Sequence, residues 1–119
     1  MPVPDMARAI AFYAQILARP GVAVAPTRHY FPCGATILAV VDPGEHDVAF
    51  RPNVEHFYFA VPDLKAAYER AGKAGCEWLE ERIRTRPWGE KSFYARDPFG
   101  NPICFVDEKT VFTGKEPQP

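Results

Sequence analysis

The sequence predicts an α+β domain built from two copies of a βαβββ unit, the first copy with its opening strand short or missing. Three observations predict it. Val3-Pro4-Asp5-Met6-Ala7-Arg8-Ala9 returns as Val61-Pro62-Asp63-Leu64-Lys65-Ala66-Ala67 at an offset of 58, close to half of the 119 residues. The turns Asp42-Pro43-Gly44 and Asp97-Pro98-Phe99-Gly100 stand late in their halves, at an offset of 55 to 56. Between these marks the order of helical and strand periodicities is the same in both halves.

In the first half, Met6, Ala9, Ile10, Tyr13, Ile16 and Leu17 carry the helical spacing of an apolar stripe over residues 5–18. Asp5 is placed to cap that helix, and Arg19-Pro20-Gly21 to end it. Strands are expected over 22–27, 29–31 and 35–41, the last two joined around Pro32-Cys33-Gly34, and the short alternation His46–Phe50 offers a fourth. Arg51-Pro52-Asn53 reads as a linker. In the second half, Glu55–Val61 alternates Phe57, Phe59 and Val61 against His56, Tyr58 and Ala60, which predicts a strand with two chemically different faces. Leu64, Ala67, Tyr68 and Ala71 form the stripe of a second helix, with Gly72 and Gly75 at its exit. Residues 76–84 read as a strand interrupted by charge, at an edge or along a cleft, and the run Glu77–Arg86 as a solvated edge, with a charged rim guiding ligands into the cleft as the alternative. A hairpin closes the unit, with Phe93 and Ala95 facing one way, Ile103 and Phe105 likewise, and Asp97-Pro98-Phe99-Gly100-Asn101 as its turn. The expected organisation is one domain over 1–112, with modules at 1–51 and 54–112, followed by a polar tail at 113–119.

Composition narrows the function. Fourteen Lys and Arg against fifteen Asp and Glu leave a net charge of −1, without the basic surface that nucleic acid or an anionic membrane requires. Cys33, Cys76 and Cys104 are odd in number and widely spaced, which fits free thiols in a reducing, cytoplasmic setting. Residues 1–5 show neither a basic start nor an apolar run, so no leader is expected, and no stretch has the apolar length of a membrane span.

The paired Val-Pro-Asp helix entries, the hairpin around Cys33-Gly34 running into Ile37–Pro43, and the closing Asp97-Pro98-Phe99-Gly100-Asn101-Pro102 together resemble the vicinal oxygen chelate superfamily of glyoxalase, bleomycin-resistance and extradiol dioxygenase proteins. The resemblance implies the glyoxalase/bleomycin-resistance/dioxygenase fold and a cleft for a small molecule. It also implies, for the enzymes, a divalent metal held by four side chains from the first and last strands of each module. His56, seven residues before Asp63, matches one such position. Cys104, four residues after Gly100, stands where a Glu is usual. The first-strand position of module one falls before residue 1, and counting from Gly44 puts its last-strand position on Val48, which cannot ligate. A catalytic zinc-type site needs three protein ligands, so the standard metal site is not expected, and His56 and Cys104 are the candidates for any ion. The cleft candidates Tyr30, Tyr58, Trp88, Glu90, Tyr94 and Arg96 suit a flat or amphipathic ligand. His29 and His46, near turns, read as solvated. Two functions follow, with a fold-only interaction module whose cleft is filled by its own side chains as a third. One is a metal-free protein binding a small aromatic or cationic molecule in the cleft of a homodimer. The other is a divergent lyase, isomerase or dioxygenase holding Zn, Ni, Mn or Fe through His56 and Cys104. Dimerisation is expected because a missing first strand leaves a sheet edge open.

Overall fold

The computed structural model describes residues 1–114, so the tail expected at 113–119 falls outside the described residues from 115 onward. The order is α1 (Met6–Ile16), β1 (Val22–Ala25), β2 (Arg28–Cys33), β3 (Thr36–Val41), a 3-10 turn (Pro43–His46), β4 (Phe57–Val61), α2 (Leu64–Ala74), β5 (Trp78–Leu79), β6 (Arg84–Thr85), β7 (Lys91–Arg96) and β8 (Pro102–Asp107). Both helices start as the repeated motif requires. Asp5 Oδ1 accepts the Arg8 N–H at 3.1 Å and Asp63 Oδ1 accepts the Ala66 N–H at 3.0 Å. Gly75, at φ 89°, ends α2 in the left-handed conformation, while Gly72 lies inside the helix.

The strands form two sheets. The first has the order β1-β2-β3, all antiparallel. The second has the order β4-β8-β7-β5, with β4 parallel to β8 and β6 also pairing with β7. The opening strand of the first half survives as a rudiment. Pro2 bridges Val41 in parallel, the Val3 N–H donates to Val41 O at 3.0 Å, and the Val41 N–H donates to Met1 O at 2.9 Å. Residues 1–3 therefore stand to β3 as β4 stands to β8.

Each sheet turns one face to the helices. Tyr13, Phe12 and Ile16 from α1, Phe31 and Val40 from the first sheet, Ala67 and Ala71 from α2, and Phe93, Ile103 and Phe105 from the second form one buried cluster. Phe59, Phe105 and Phe93 stack in sequence, with centroids 5.0 and 5.2 Å apart. Burying such a ring contributes roughly 1.5–3 kcal/mol. The helices also meet directly, the Arg70 Nε–H donating to Ile16 O at 3.1 Å. Among the described residues no helix covers the opposite faces, where Val22, Val24, Ile37 and Tyr58 are between 50% and 62% exposed.

Four expectations are corrected. His46–Phe50 forms no strand, because Asp42 Oδ1 accepts the Gly44 N–H at 2.9 Å and winds the chain into a 3-10 turn that ends at a left-handed Asp47. The 76–84 strand is two short pieces, β5 and β6, since the chain leaves the sheet where Glu80 turns inward. His29 is not solvated but buried on β2, its Nε2 2.9 Å from Pro20 O and its Nδ1 unpartnered. Finally, the two Asp-Pro turns are not equivalent. The Asp42 turn follows β3, whereas the Asp97 turn joins β7 to β8. The true counterpart of the latter is the tight β2–β3 turn, where Gly34 at φ 63° matches Gly100 at φ 91°. The count from Gly44 to Val48 therefore marks nothing. The open-face residues of β3 are Ile37, Ala39 and Val41, and none can ligate a metal.

Candidate functional site

The alternation that buries Phe57, Phe59, Phe93, Ile103 and Phe105 turns the intervening side chains of the second sheet outward. Register then sets them in rows. Tyr58, Cys104 and Tyr94 lie side by side across β4, β8 and β7, followed by Ala60, Val106 and Ser92. Trp88 and Glu90 extend this surface from the turn before β7, and Val111 and Phe112 from the segment after β8. Together they line a hollow of about 490 Å³ whose residues are Tyr58, Ala60, Trp88, Glu90, Tyr94, Val106, Val111 and Phe112.

Against Tyr94 and Ser92 lies an ion pair. Arg86 Nη2–H and Nη1–H donate to the two oxygens of Glu80 at 2.6 and 3.2 Å, and Arg86 Nε–H donates to Ser92 Oγ at 2.8 Å. Glu80 also accepts the Tyr94 N–H at 3.0 Å and faces Arg84 Nε at 3.1 Å, while the Arg86 guanidinium sits 4.6 Å from the Tyr94 ring centre. Only 12% of each side chain of the Glu80–Arg86 pair is exposed, so the middle of the charged run is not the solvated face its sequence suggests. Burial pushes the Glu80 pKa up, but the hydrogen bonds from Arg86 and the Tyr94 amide and the charges of Arg86 and Arg84 outweigh it, and the net direction is down. Cys104, 1% exposed, has its thiol pushed up to about 11 by burial, against the opposing pull of the Ser92 hydrogen bond and the Arg86 charge. It is a protonated thiol at neutral pH rather than a thiolate.

Of the residues singled out from the sequence, Tyr58, Trp88, Glu90 and Tyr94 meet at this hollow. Tyr30 does not. It stands on the open face of the first sheet, its hydroxyl 3.3 Å from Arg28 Nη1. Arg96 lies at the far end of β7, exposed and 4.0 Å from Glu77. His56 is exposed just before β4, its ring centre 5.1 Å from that of Tyr94 and 6.0 Å from that of Tyr58. Among the described residues no three His, Cys, Asp or Glu side chains gather where they could hold an ion. Only His56 and Cys104 stand at positions of the four-ligand set with side chains able to ligate, so this chain's own donors do not fill the metal site of the resemblance. Val111 and Phe112 went unnoticed in the sequence because they follow the last strand and belong to no periodic pattern.

A second hollow, of about 730 Å³, borders the free edge of β4, opposite the tip of the β2–β3 hairpin and the end of α1. Its cations are already engaged with main-chain carbonyls, Arg19 with Leu17 and Pro32 and Arg70 with Ile16. This larger hollow shares Tyr58 with the first and also takes in His56, but Trp88, Glu90, Tyr94 and the Glu80–Arg86 pair are not on its wall.

Residues 1–105 match the Glyoxalase/Bleomycin resistance protein/Dioxygenase superfamily. The chain is 30% identical over 102 residues to the metallothiol transferase FosB of Shouchella clausii (strain KSM-K16), a match covering 83% of this chain and 70% of that protein. Among solved structures it resembles lactoylglutathione lyase from Agrobacterium tumefaciens, with 26% identity, a TM-score of 0.70, and 92% and 90% of the two chains covered. It also resembles a glyoxalase/bleomycin resistance protein from Albidiferax ferrireducens T118, with 25% identity, a TM-score of 0.73, and 90% and 93% covered.

Proposed function

Since the chain belongs to the Glyoxalase/Bleomycin resistance protein/Dioxygenase superfamily, we propose that it binds a small aromatic or cationic molecule in the hollow of its second sheet, without the chelated metal of the family's enzymes. One observation carries this reading. Tyr58, Trp88 and Tyr94 wall a single hollow together with Glu90, while the position where the pattern expects a ligating Glu holds Cys104. Aromatic faces with few polar groups favour flat ligands. The test is thermal stabilisation by N-methylquinolinium or quinoline before and after treatment with a chelator. The reading expects a rise in melting temperature that chelation leaves unchanged. No rise with either compound, or a rise abolished by the chelator, overturns it.

A second reading is a metal-dependent lyase, isomerase or dioxygenase with His56 as one ligand. The similarity to a metallothiol transferase and to a lactoylglutathione lyase favours it. It requires near-stoichiometric metal in the purified protein, lost in His56→Ala, and elemental analysis decides between the two.

The reading extends to assembly and setting. Residues 1–112 act as one domain of two modules, 1–51 and 54–112, and two copies pair through the uncovered sheet faces and the free edge of β4, which supplies unpaired strand groups. A dimer by light scattering at micromolar concentration is expected. Among the described residues no helix is long and apolar enough to cross a membrane. Three free cysteines support action in the reducing cytoplasm.

A further inference from the structure

Glu90 fastens two separate pieces of the hollow's wall. Its Oε1 accepts the Trp88 Nε1–H at 2.8 Å, and its Oε2 accepts the Phe112 N–H at 2.9 Å. Next to it, the Lys91 N–H donates to Thr110 Oγ1 at 3.0 Å, and the Thr110 hydroxyl donates to Asp107 O at 2.9 Å. The segment after β8 is thus tied back to the start of β7 at two successive points. It needs such ties, because Val111 and Phe112 are 40% and 57% exposed and lie outside the described strands and helices. What they gain is a place on the hollow, where Phe112 adds a fourth aromatic side chain to Tyr58, Trp88 and Tyr94.

A carboxylate oxygen accepts two hydrogen bonds, and each oxygen of Glu90 takes one from the described residues, none of which forms an ion pair with it. Ring faces are electron-rich and attract a cation, more strongly once it is desolvated. A negative carboxylate at the rim of four such rings adds a counter-charge and repels an anion. Resting on the reading of the hollow as a ligand site, we infer that it selects a flat organic monocation, with Glu90 as both its counter-charge and the latch that holds Val111–Phe112 closed over it. A ligand that touches Phe112 only in the latched arrangement stabilises that arrangement, so binding and closure are linked.

The experiment compares N-methylquinolinium, neutral quinoline and anionic quinaldate by calorimetry in neutral buffer, on the full chain, for the native protein, Glu90→Gln and Phe112→Ala. The native protein should prefer the cation to quinoline by about tenfold, a magnitude typical of a partly desolvated cation on aromatic faces, and should bind quinaldate least. Glu90→Gln keeps the shape and removes the charge. It should reduce that preference to about twofold and, because an amide has only one acceptor oxygen for the two N–H groups, also weaken quinoline, by no more than the loss in Phe112→Ala. Phe112→Ala should weaken cation and quinoline alike, by about fivefold. Saturating N-methylquinolinium should also slow hydrogen exchange at the Phe112 amide in the native protein and not in Glu90→Gln. Melting temperatures near the native value establish that both variants fold. If quinoline and the cation bind equally to the native protein, or Glu90→Gln keeps the full preference, the inference fails while the ligand site stands. If exchange at Phe112 is unmoved by the cation, the latch fails. If no compound binds, the ligand site itself fails.

Discussion

The two halves of the chain contain the same hairpin and use it differently. In the first, β2 meets β3 through a tight turn between Cys33 and Thr36, with Gly34 left-handed and nothing within 4 Å of the place a Cβ would occupy. In the second, β7 meets β8 through residues 97–101, and Asp97 and Asn101 are wholly buried. Asp97 accepts from the Tyr13 hydroxyl at 2.8 Å, from the Phe99 and Asn101 N–H groups at 2.9 Å, and from Asn101 Nδ2 at 2.8 Å. Asn101 in turn donates to Pro2 O and accepts the Asn53 N–H, each at 2.8 Å. A turn that in one half merely reverses the chain has become, in the other, the junction of α1, the rudimentary first strand and the linker. The difference shows where the two halves are held together. Asp97→Ala strands several buried donors and should cost about 3–5 kcal/mol, read as a large fall in melting temperature. Gly34→Ala meets only backbone strain at a positive φ and should cost about 1 kcal/mol. Equal losses would break the comparison.

Charge follows the same division. Arg28 and Glu45, 3.2 Å apart beside the first sheet, lie at the surface, whereas Glu80 and Arg86 are largely covered by the second. Arg86→Leu leaves Glu80 with desolvation uncompensated by its bidentate partner and should cost about 2–3 kcal/mol in urea unfolding. Arg28→Gln should leave the midpoint unchanged within error. The pH dependence has a definite sign. Glu80 is lowered in the folded protein, so its contribution is present above the ordinary carboxylate range and is lost as the pH falls through the lowered value. Arg86→Leu should therefore narrow its deficit as the solution is acidified through that window. A deficit independent of pH would show that Arg86 acts by packing alone.

The open faces differ as the turns do. On the first sheet, Tyr30 has aliphatic and small neighbours, Val22 and Ala39 being its register partners. On the second, Tyr58 is one of a set of rings about a hollow. Tyr58→Ala should weaken binding of N-methylquinolinium by about tenfold, or about 1.4 kcal/mol, and Tyr30→Ala by less than about twofold. Calorimetry on the two variants sharpens the comparison directly. A loss at Tyr30 as large as at Tyr58 would mean that both faces contribute to one site, as they would across a dimer.

How much of this is legible in the sequence depends on whether a pattern is local. The helices, their Asp caps and most strands could be read because periodicity and capping act over a few residues, as with Asp5 on Arg8 and Asp63 on Ala66. The faces of β4, β7 and β8 could be read too, since alternation fixes them, and this put Tyr58 and Tyr94 on one side. The Glu80–Arg86 pair could not. Its charges sit in a run that looks solvated, and only the departure of the chain from the sheet turns Glu80 inward. Phe112 was equally hidden, because its position depends on a hydrogen bond to Glu90 across 22 positions. Counting from Asp42-Pro43-Gly44 misled because a similar turn sequence can follow a strand or join two, and spacing alone does not distinguish them.

The smallest expected effect concerns the residue at the centre of the aromatic face. Ala39 on β3 and Cys104 on β8 both occupy open-face positions of the strand that follows their hairpin, paired with Tyr30 and Tyr94 respectively. Cys104 differs by a thiol that burial raises to about 11, so at neutral pH it fills space as a small, weakly polar group. Cys104→Ala makes the two positions alike. It removes one buried sulfur and should cost about 1 kcal/mol, leaving affinity for N-methylquinolinium within about twofold, because the surrounding rings remain. Metal content measured alongside should match that of the native protein. A variant that lost bound metal, or lost the ligand while still folded, would give Cys104 a chemical role beyond filling space.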